Sequence, residues 1–254
     1  MRKIGINLHA ATGLSDEDYI KAMAGVGFEA CFSGVFERER QLNVARLLEK
    51  HGISYDTLHA PFDGINAMWS ENEDGDAMLA RLKNTVDNCA AVGVPIAVVH
   101  LSSGEKAPSI TDAGRKRYGD LVEYAVKKNI KIAFENQRKL ANLAWAMETF
   151  GTDEAGFCWD CGHESCFTPG REYMPLFGDR IVCTHIHDNH GIYNGDDHIL
   201  PFCGSIDFEK VAMRIKESGF CGTLMLEVFS GDDPQKFLEI AAQAAKKLCA
   251  MTDK

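Results

Sequence analysis

Two rhythms of apolar and polar positions alternate along the 254 residues. Short apolar runs with period-two patterning read as β-strands at 3–9, 28–34, 54–61, 95–102, 131–137, 155–160, 180–188 and 223–229. Between them lie amphipathic stretches whose apolar residues recur three and four apart, which read as helices. Ser15-Asp16-Glu17-Asp18 has the makeup of a capped helix start, and Gly25, Gly27, Gly52, Gly93 and Gly219 stand where helices would hand over to strands. Eight such alternations, with no low-complexity linker, predict parallel strands in an α/β fold: a single (β/α)8 TIM barrel over residues 1–254.

Polarity collects at the C-terminal ends of these strands. With side chains alternating faces, one face carries Tyr55, Thr57 and His59 on the third strand, Ile96, Val98 and His100 on the fourth, and Lys131, Ala133 and Glu135 on the fifth. The sixth ends in Asp160, the seventh offers Cys183, His185 and His187, and the eighth Thr223, Met225 and Glu227. All strand C-termini of a parallel barrel open on one face, so these residues are expected to converge on an active site. A single histidine at a strand end is more often a hydrogen-bonded structural residue. Together, however, Glu135, Asp160 and Glu227 beside His185 would crowd like charges, which is costly unless a cation neutralises them. A divalent metal is therefore expected, zinc or manganese foremost and cobalt or magnesium admitted, because mixed oxygen and nitrogen donors suit these better than an all-oxygen calcium cage.

Composition narrows the class further. Hydrophobic residues at 45% and charged residues at 25% fit a globular protein and exclude disordered and fibrous classes. No apolar segment long enough for a membrane span or an export signal follows Met1-Arg2-Lys3, so no membrane partner is expected. Nine cysteines without framework spacing predict reduced thiols and a cytoplasmic location. Cys158-x-x-Cys161 reads as a strand residue and a turn residue rather than a redox or zinc pair, since no second such motif accompanies it. A net charge of −10 argues against nucleic acid as a partner, and the acidic run 71–76 is assigned to a solvated loop and helix start.

The strand ends also carry a resemblance. His59-Ala60-Pro61-Phe62, Val99-His100, Phe134-Glu135-Asn136, Trp159-Asp160-Cys161-Gly162-His163, His185-Ile186-His187-Asp188, Asp196-Asp197-His198 and Leu226-Glu227 resemble, in order, the motifs of the xylose isomerase-like barrels. That group includes sugar isomerases, 3-epimerases, inosose dehydratases and the endonuclease IV repair enzymes, and the resemblance covers nearly the whole chain. It implies one metal held by Glu135, Asp160, His185 and Glu227, with Glu135 and Glu227 as catalytic base and acid and His163 positioning substrate oxygens. His185 is preferred to His187 as the ligand, leaving His187 a supporting, substrate-contacting or structural role. The endonuclease IV branch would add His59, His100, His163, Asp196 and His198 as further ligands for a three-zinc cluster. Phe202 departs from the pattern, because the family usually has glycine there. Arg138 is read as a solvated helix start in preference to a contact for a substrate anion.

The expected function is a metal-dependent isomerase or epimerase of a small sugar or sugar phosphate, acting by proton abstraction through an enediolate. The alternatives are an endonuclease IV-like zinc phosphodiesterase acting on abasic DNA and an inosose-type sugar dehydratase. The partner expected is a small sugar, and homo-oligomerisation is left open.

Overall fold

Eight parallel strands form the sheet in the computed structural model, which describes residues 2–11, 13–230 and 233–252; Met1 and the chain's last two residues, included in the sequence expectations, lie outside this range. They are β1 (Ile4–Asn7), β2 (Ala30–Gly34), β3 (Ser54–His59), β4 (Ile96–His100), β5 (Lys131–Glu135), β6 (Ala155–Asp160), β7 (Ile181–His185) and β8 (Leu224–Leu226). Their order is β7-β6-β5-β4-β3-β2-β1-β8. Ile186 nearly completes the circle, since its N–H donates to the Met225 carbonyl at 2.8 Å and its carbonyl accepts from Glu227 N at 3.1 Å. The protein is a single (β/α)8 TIM barrel.

Helices α1 (Asp16–Val26), α2 (Arg38–Lys50), α3 (Glu73–Val92), α4 (Asp112–Val126), α5 (Leu140–Thr149), α6 (Cys161–Phe167), α7 (Met174–Phe177), α8 (Phe208–Glu217) and α9 (Pro234–Thr252) fill the connections. Ser15 caps α1 through the Asp18 amide, and Gly27 ends it in the left-handed conformation that favours glycine. Gly25, read as a stop, lies inside α1. The acidic run supplies Asn72 as the cap of α3 and Glu73, Asp74 and Asp76 to its first turn, where the helix dipole favours negative charge. None of the described helices is long and apolar enough to cross a membrane.

The strands divide the core in two. Ile6, Cys31, Leu58, Val99, Phe134, Phe157 and Leu226 face outward into the helix layer. Ala30, Phe32 and Met225, with Val98, Ala133, Cys158 and Cys183, plug the barrel interior. Gly5 belongs to this plug: a Cβ there would come within 2.6 Å of the Met225 sulfur. Cys158 and Cys161 are free thiols; Cys158 lies in the plug and Cys161 opens α6 rather than forming a turn.

All strands but β6 are shorter than their apolar runs, chiefly because the chain leaves the ladder where it delivers side chains to the barrel mouth. At the end of β1, for instance, His9 already takes a left-handed φ of 61°. The third strand also needs correction. A bulge pairs Cys31 with Tyr55 and Phe32 with Thr57, so the extra residue Asp56 reverses the facing. Tyr55 consequently turns to the helix layer and bonds Gln41 and Ser33, while Thr57 and His59 keep the inward face.

Candidate functional site

Two positions above five of the plug residues stands a polar one: Val98 is followed by His100, Ala133 by Glu135, Cys158 by Asp160, Cys183 by His185 and Met225 by Glu227. Period-two geometry thus turns an apolar floor into a polar ring. Glu135 is its centre. Its Oε2 lies 3.1 Å from His59 Nε2, 3.1 Å from His100 Nε2 and 3.5 Å from His185 Nδ1, and its Oε1 lies 2.9 Å from His163 Nδ1. Glu227 Oε2 approaches His185 Nδ1 at 3.1 Å.

Three sets of donor atoms lie within 4.8 Å of one another: Glu135, Asp160, His185 and Glu227; His59, Glu135 and His185; and His163, His187, Asp196 and His198. The two histidines of His185-Ile186-His187 therefore serve different sets. His185 stands with the carboxylates of β5, β6 and β8, whereas His187 stacks on His198 at 3.9 Å and points its Nε2 at Asp160, 3.1 Å away. Gly162 makes room for this, since a Cβ there would lie 1.9 Å from the His187 ring.

Several atoms of these sets are buried without a well-formed hydrogen bond: both ring nitrogens of His185 and His187, Oε1 of Glu135 and Oδ2 of Asp160, with Nδ1 of the neighbouring His100 beside them. Convergent orphans of this kind are costly, and their chemistry suits a divalent cation. Neighbouring contacts orient them. His59 Nδ1 donates to the Ala60 carbonyl at 2.8 Å and His198 Nδ1 to the Glu227 carbonyl at 2.9 Å, which directs Nε2 of each ring at the carboxylates of Glu135 and Asp196, where it can carry a proton or, with the proton gone, a metal ion. Asn136 grips the backbone of Asp160 with two 2.8 Å bonds, and Asp160 Oδ1 caps α6 by accepting from His163 N at 2.6 Å.

Charge balance follows the same pattern. Burial acts to raise the Glu135 carboxyl, yet the imidazoles of His100 and His185 outweigh it and hold it well below the usual range. Burial likewise opposes charge on His163 and His185, but the carboxylates of Asp160 and Glu227 push the two rings well above theirs. His198 is raised to about 9 against its own burial by Asp196 and Glu227. His100 moves the other way, because burial prevails over its single carboxylate neighbour. Where the carboxylates gather, imidazoles hold protons as counter-charges, a task a bound divalent cation performs equally well.

Arg138, just ahead of α5, is half-buried. Its guanidinium lies 3.5 Å over the Phe167 ring and its Nε donates to Asn194 Oδ1 at 3.2 Å, while Phe167 stacks on His163 at 4.7 Å. Asp188 ties down the long β7–α8 connection by accepting from the N–H groups of Asn189, Gly204 and Ile206. Phe202, standing where glycine was expected, takes a φ of 71°, and its ring packs on Phe208.

Sequence reasoning missed Gln137, whose Nε2 lies 3.0 Å from His163 Nδ1 and 3.3 Å from His100 Nε2, although it continues the parity of Ala133 and Glu135. Phe32, stacked on His185 at 4.6 Å, also follows strand parity. A cavity of about 910 Å3 opens beside Glu227 and His59 and runs between the β2–α2 connection and α3; no periodicity announces it.

Comparison with known proteins agrees with this architecture. The chain belongs to the xylose isomerase-like TIM barrel family, whose pattern it matches over residues 18–251. It is 31% identical over 160 residues to the uncharacterized protein y4fM of Sinorhizobium fredii, covering 58% of this chain and 51% of that protein. It is 23% identical over 199 residues to the uncharacterized protein MJ1311 of Methanocaldococcus jannaschii, covering 72% of this chain and 67% of the relative. The chain thus spans about half to two thirds of these relatives. Among solved structures, a D-tagatose 3-epimerase-like protein superposes with a TM-score of 0.80 at 20% identity, covering 99% of this chain and 98% of the other, which is a likeness of fold.

Proposed function

We propose that the protein is a divalent-metal-dependent isomerase or epimerase of a small sugar. The observation that carries this reading is the cavity at Glu227 and His59: the set of Glu135, Asp160, His185 and Glu227 lies beside a space that admits a small molecule. A cation held by these four residues would supply Lewis-acid polarisation of a sugar carbonyl.

The protein's own groups divide the remaining work. Glu227 lines the cavity and takes the proton from the carbon beside the carbonyl. Glu135, expected as its catalytic partner, has a fully buried side chain enclosed by four imidazoles, which fits a ligand and charge balance better than direct contact with substrate. His59 also lines the cavity with Nε2 on Glu135, so we assign it the proton return on the side away from Glu227. A sugar dehydratase would use the same residues.

A specific observation favours a second reading, a zinc phosphodiesterase: His163, His187, Asp196 and His198 form a further ligand set that a one-metal isomerase leaves without chemistry. The net charge of −10 weighs against a nucleic-acid substrate. The deciding experiment incubates zinc- or manganese-loaded protein with ketohexoses in D2O and, separately, with abasic duplex DNA. Metal-dependent deuterium uptake beside the carbonyl supports the isomerase. DNA nicking without exchange on any sugar overturns it in favour of the phosphodiesterase.

A further inference from the structure

The cavity is larger than the reaction centre needs. Its volume of about 910 Å3 lies near the upper end of the roughly 300–1,000 Å3 usual for sites enclosing drug-sized ligands, well beyond what one hexose fills. From Glu227 and His59 it continues past the β2–α2 connection, at Phe36, to the flank of α3 at Asn84 and Asn88. We infer that this arm binds a second neutral, hydroxyl-rich unit about the size of one sugar ring, so that the substrate is a two-ring sugar whose reacting ring keeps a carbonyl, rather than a free monosaccharide. The inference rests on the reading of the site as a sugar site.

The chemistry of the arm supports a neutral occupant. Phe62 is 43% exposed at the junction, with its inner side stacked on His100 at 4.6 Å, and its free side offers a flat apolar platform to the C–H face of a ring. Amides face the far end. Asn88 is 3% exposed, its Nδ2 donates to the Asn84 carbonyl at 2.9 Å, and its Oδ1 has no hydrogen-bond partner. An unsatisfied acceptor calls for a donor such as a hydroxyl, which a phosphate dianion does not provide. Arg38 and Arg81 also line the arm, but each spends an Nη1 donor on a backbone carbonyl, that of Asp87 and of Asp63 respectively. Glu37 beside them and Glu227 at the inner end offset their charge, so the lining carries no net attraction for an anion.

The test uses the full-length, metal-loaded protein and measures affinities by NMR titration for glucose, glucose 6-phosphate, maltose, cellobiose and trehalose. Ala80→Trp supplies the control, because Ala80 is an exposed α3 residue that lines the arm and lies outside the ligand sets. At least one disaccharide is expected to bind 10-fold or more tightly than glucose, and Ala80→Trp to erase that advantage while changing glucose affinity less than 2-fold. Circular dichroism checks that the variant folds. Glucose 6-phosphate binding more tightly than every disaccharide overturns the inference in favour of an anion subsite. Disaccharides binding no better than glucose, or an advantage that Ala80→Trp leaves intact, also overturns it. In those cases metal-dependent exchange on a monosaccharide would still stand, which separates failure of the arm from failure of the sugar reading; binding of none of the sugars overturns both.

Discussion

Glu135 and Glu227 differ in what surrounds them, and the difference makes their proposed tasks separable by experiment. Glu135 has four imidazoles within 3.5 Å and a fully buried side chain, so removing its charge strips a ligand set rather than a proton carrier. Glu135→Gln is expected to weaken metal retention at least about 100-fold with little change in volume, read as metal content after dialysis against a buffered chelator. Retention equal to the parent would remove Glu135 from the ligand set. Glu227 faces the cavity, and Glu227→Gln is expected to lower kcat by about 100- to 10,000-fold while KM stays within a few fold. A loss confined to KM would mean that Glu227 only holds substrate. Gly162 makes a third case at this scale. The Cβ of Gly162→Ala would meet the His187 ring at 1.9 Å and must displace it, at a cost of about 1–3 kcal/mol in unfolding free energy. Urea denaturation measures the cost, and unchanged stability would mean that the ring has another place to go.

The β7–α8 connection is the element on which the second ligand set depends, because Asp196 and His198 sit in irregular backbone. Asp188 holds that backbone by accepting from three N–H groups while fully buried. Asp188→Asn turns a charged acceptor into an amide that presents N–H to N–H, and is expected to cost about 2 kcal/mol, read by urea denaturation. A cost near zero would mean that the loop is anchored elsewhere, for example by Arg138 and Asn194. The regular elements and the polar ring were legible in the sequence, because strand alternation is a local property and a parallel barrel maps it onto one mouth. The facing of Tyr55 was not, because one extra residue in β3, invisible to periodicity, reverses it. The contacts of Arg138 were not legible because its partners Phe167 and Asn194 are distant in sequence, and neither was the cavity wall, because α2 and α3 meet only in the folded barrel. The unusual residue at Phe202 was visible, but not that its backbone would keep a left-handed φ of 71° with a phenylalanine in it.

At the scale of the whole molecule, a metal ion held as proposed would compete with protons for the same imidazoles, and the sign of that linkage can be worked out. Burial opposes charge on His198, but Asp196 and Glu227 raise it from 6.5 to about 9. A raised folded value means that the proton stabilises the fold: the contribution is fully present below about pH 6.5 and disappears as pH climbs through about 9. That gap corresponds to roughly 3 kcal/mol at about 1.36 kcal/mol per pH unit, an upper figure for a group sharing its carboxylates with His163 and His185. A cation at His163, His187, Asp196 and His198 needs the Nε2 lone pair, so it must displace this proton at any pH below about 9. Chelator-treated protein is therefore expected to lose thermal stability between pH 6.5 and 9, by about 5–10 °C in Tm. Zinc-loaded protein should hold steady or gain over the same interval, because metal affinity rises as the competing proton leaves. The separation between the two melting curves thus widens with pH. His198→Asn, which lacks the titrating ring, should flatten the chelator-treated curve and narrow the separation. Differential scanning calorimetry of both forms across this range reads the effect, and parallel curves for chelator-treated and zinc-loaded protein would mean that no metal occupies the second ligand set.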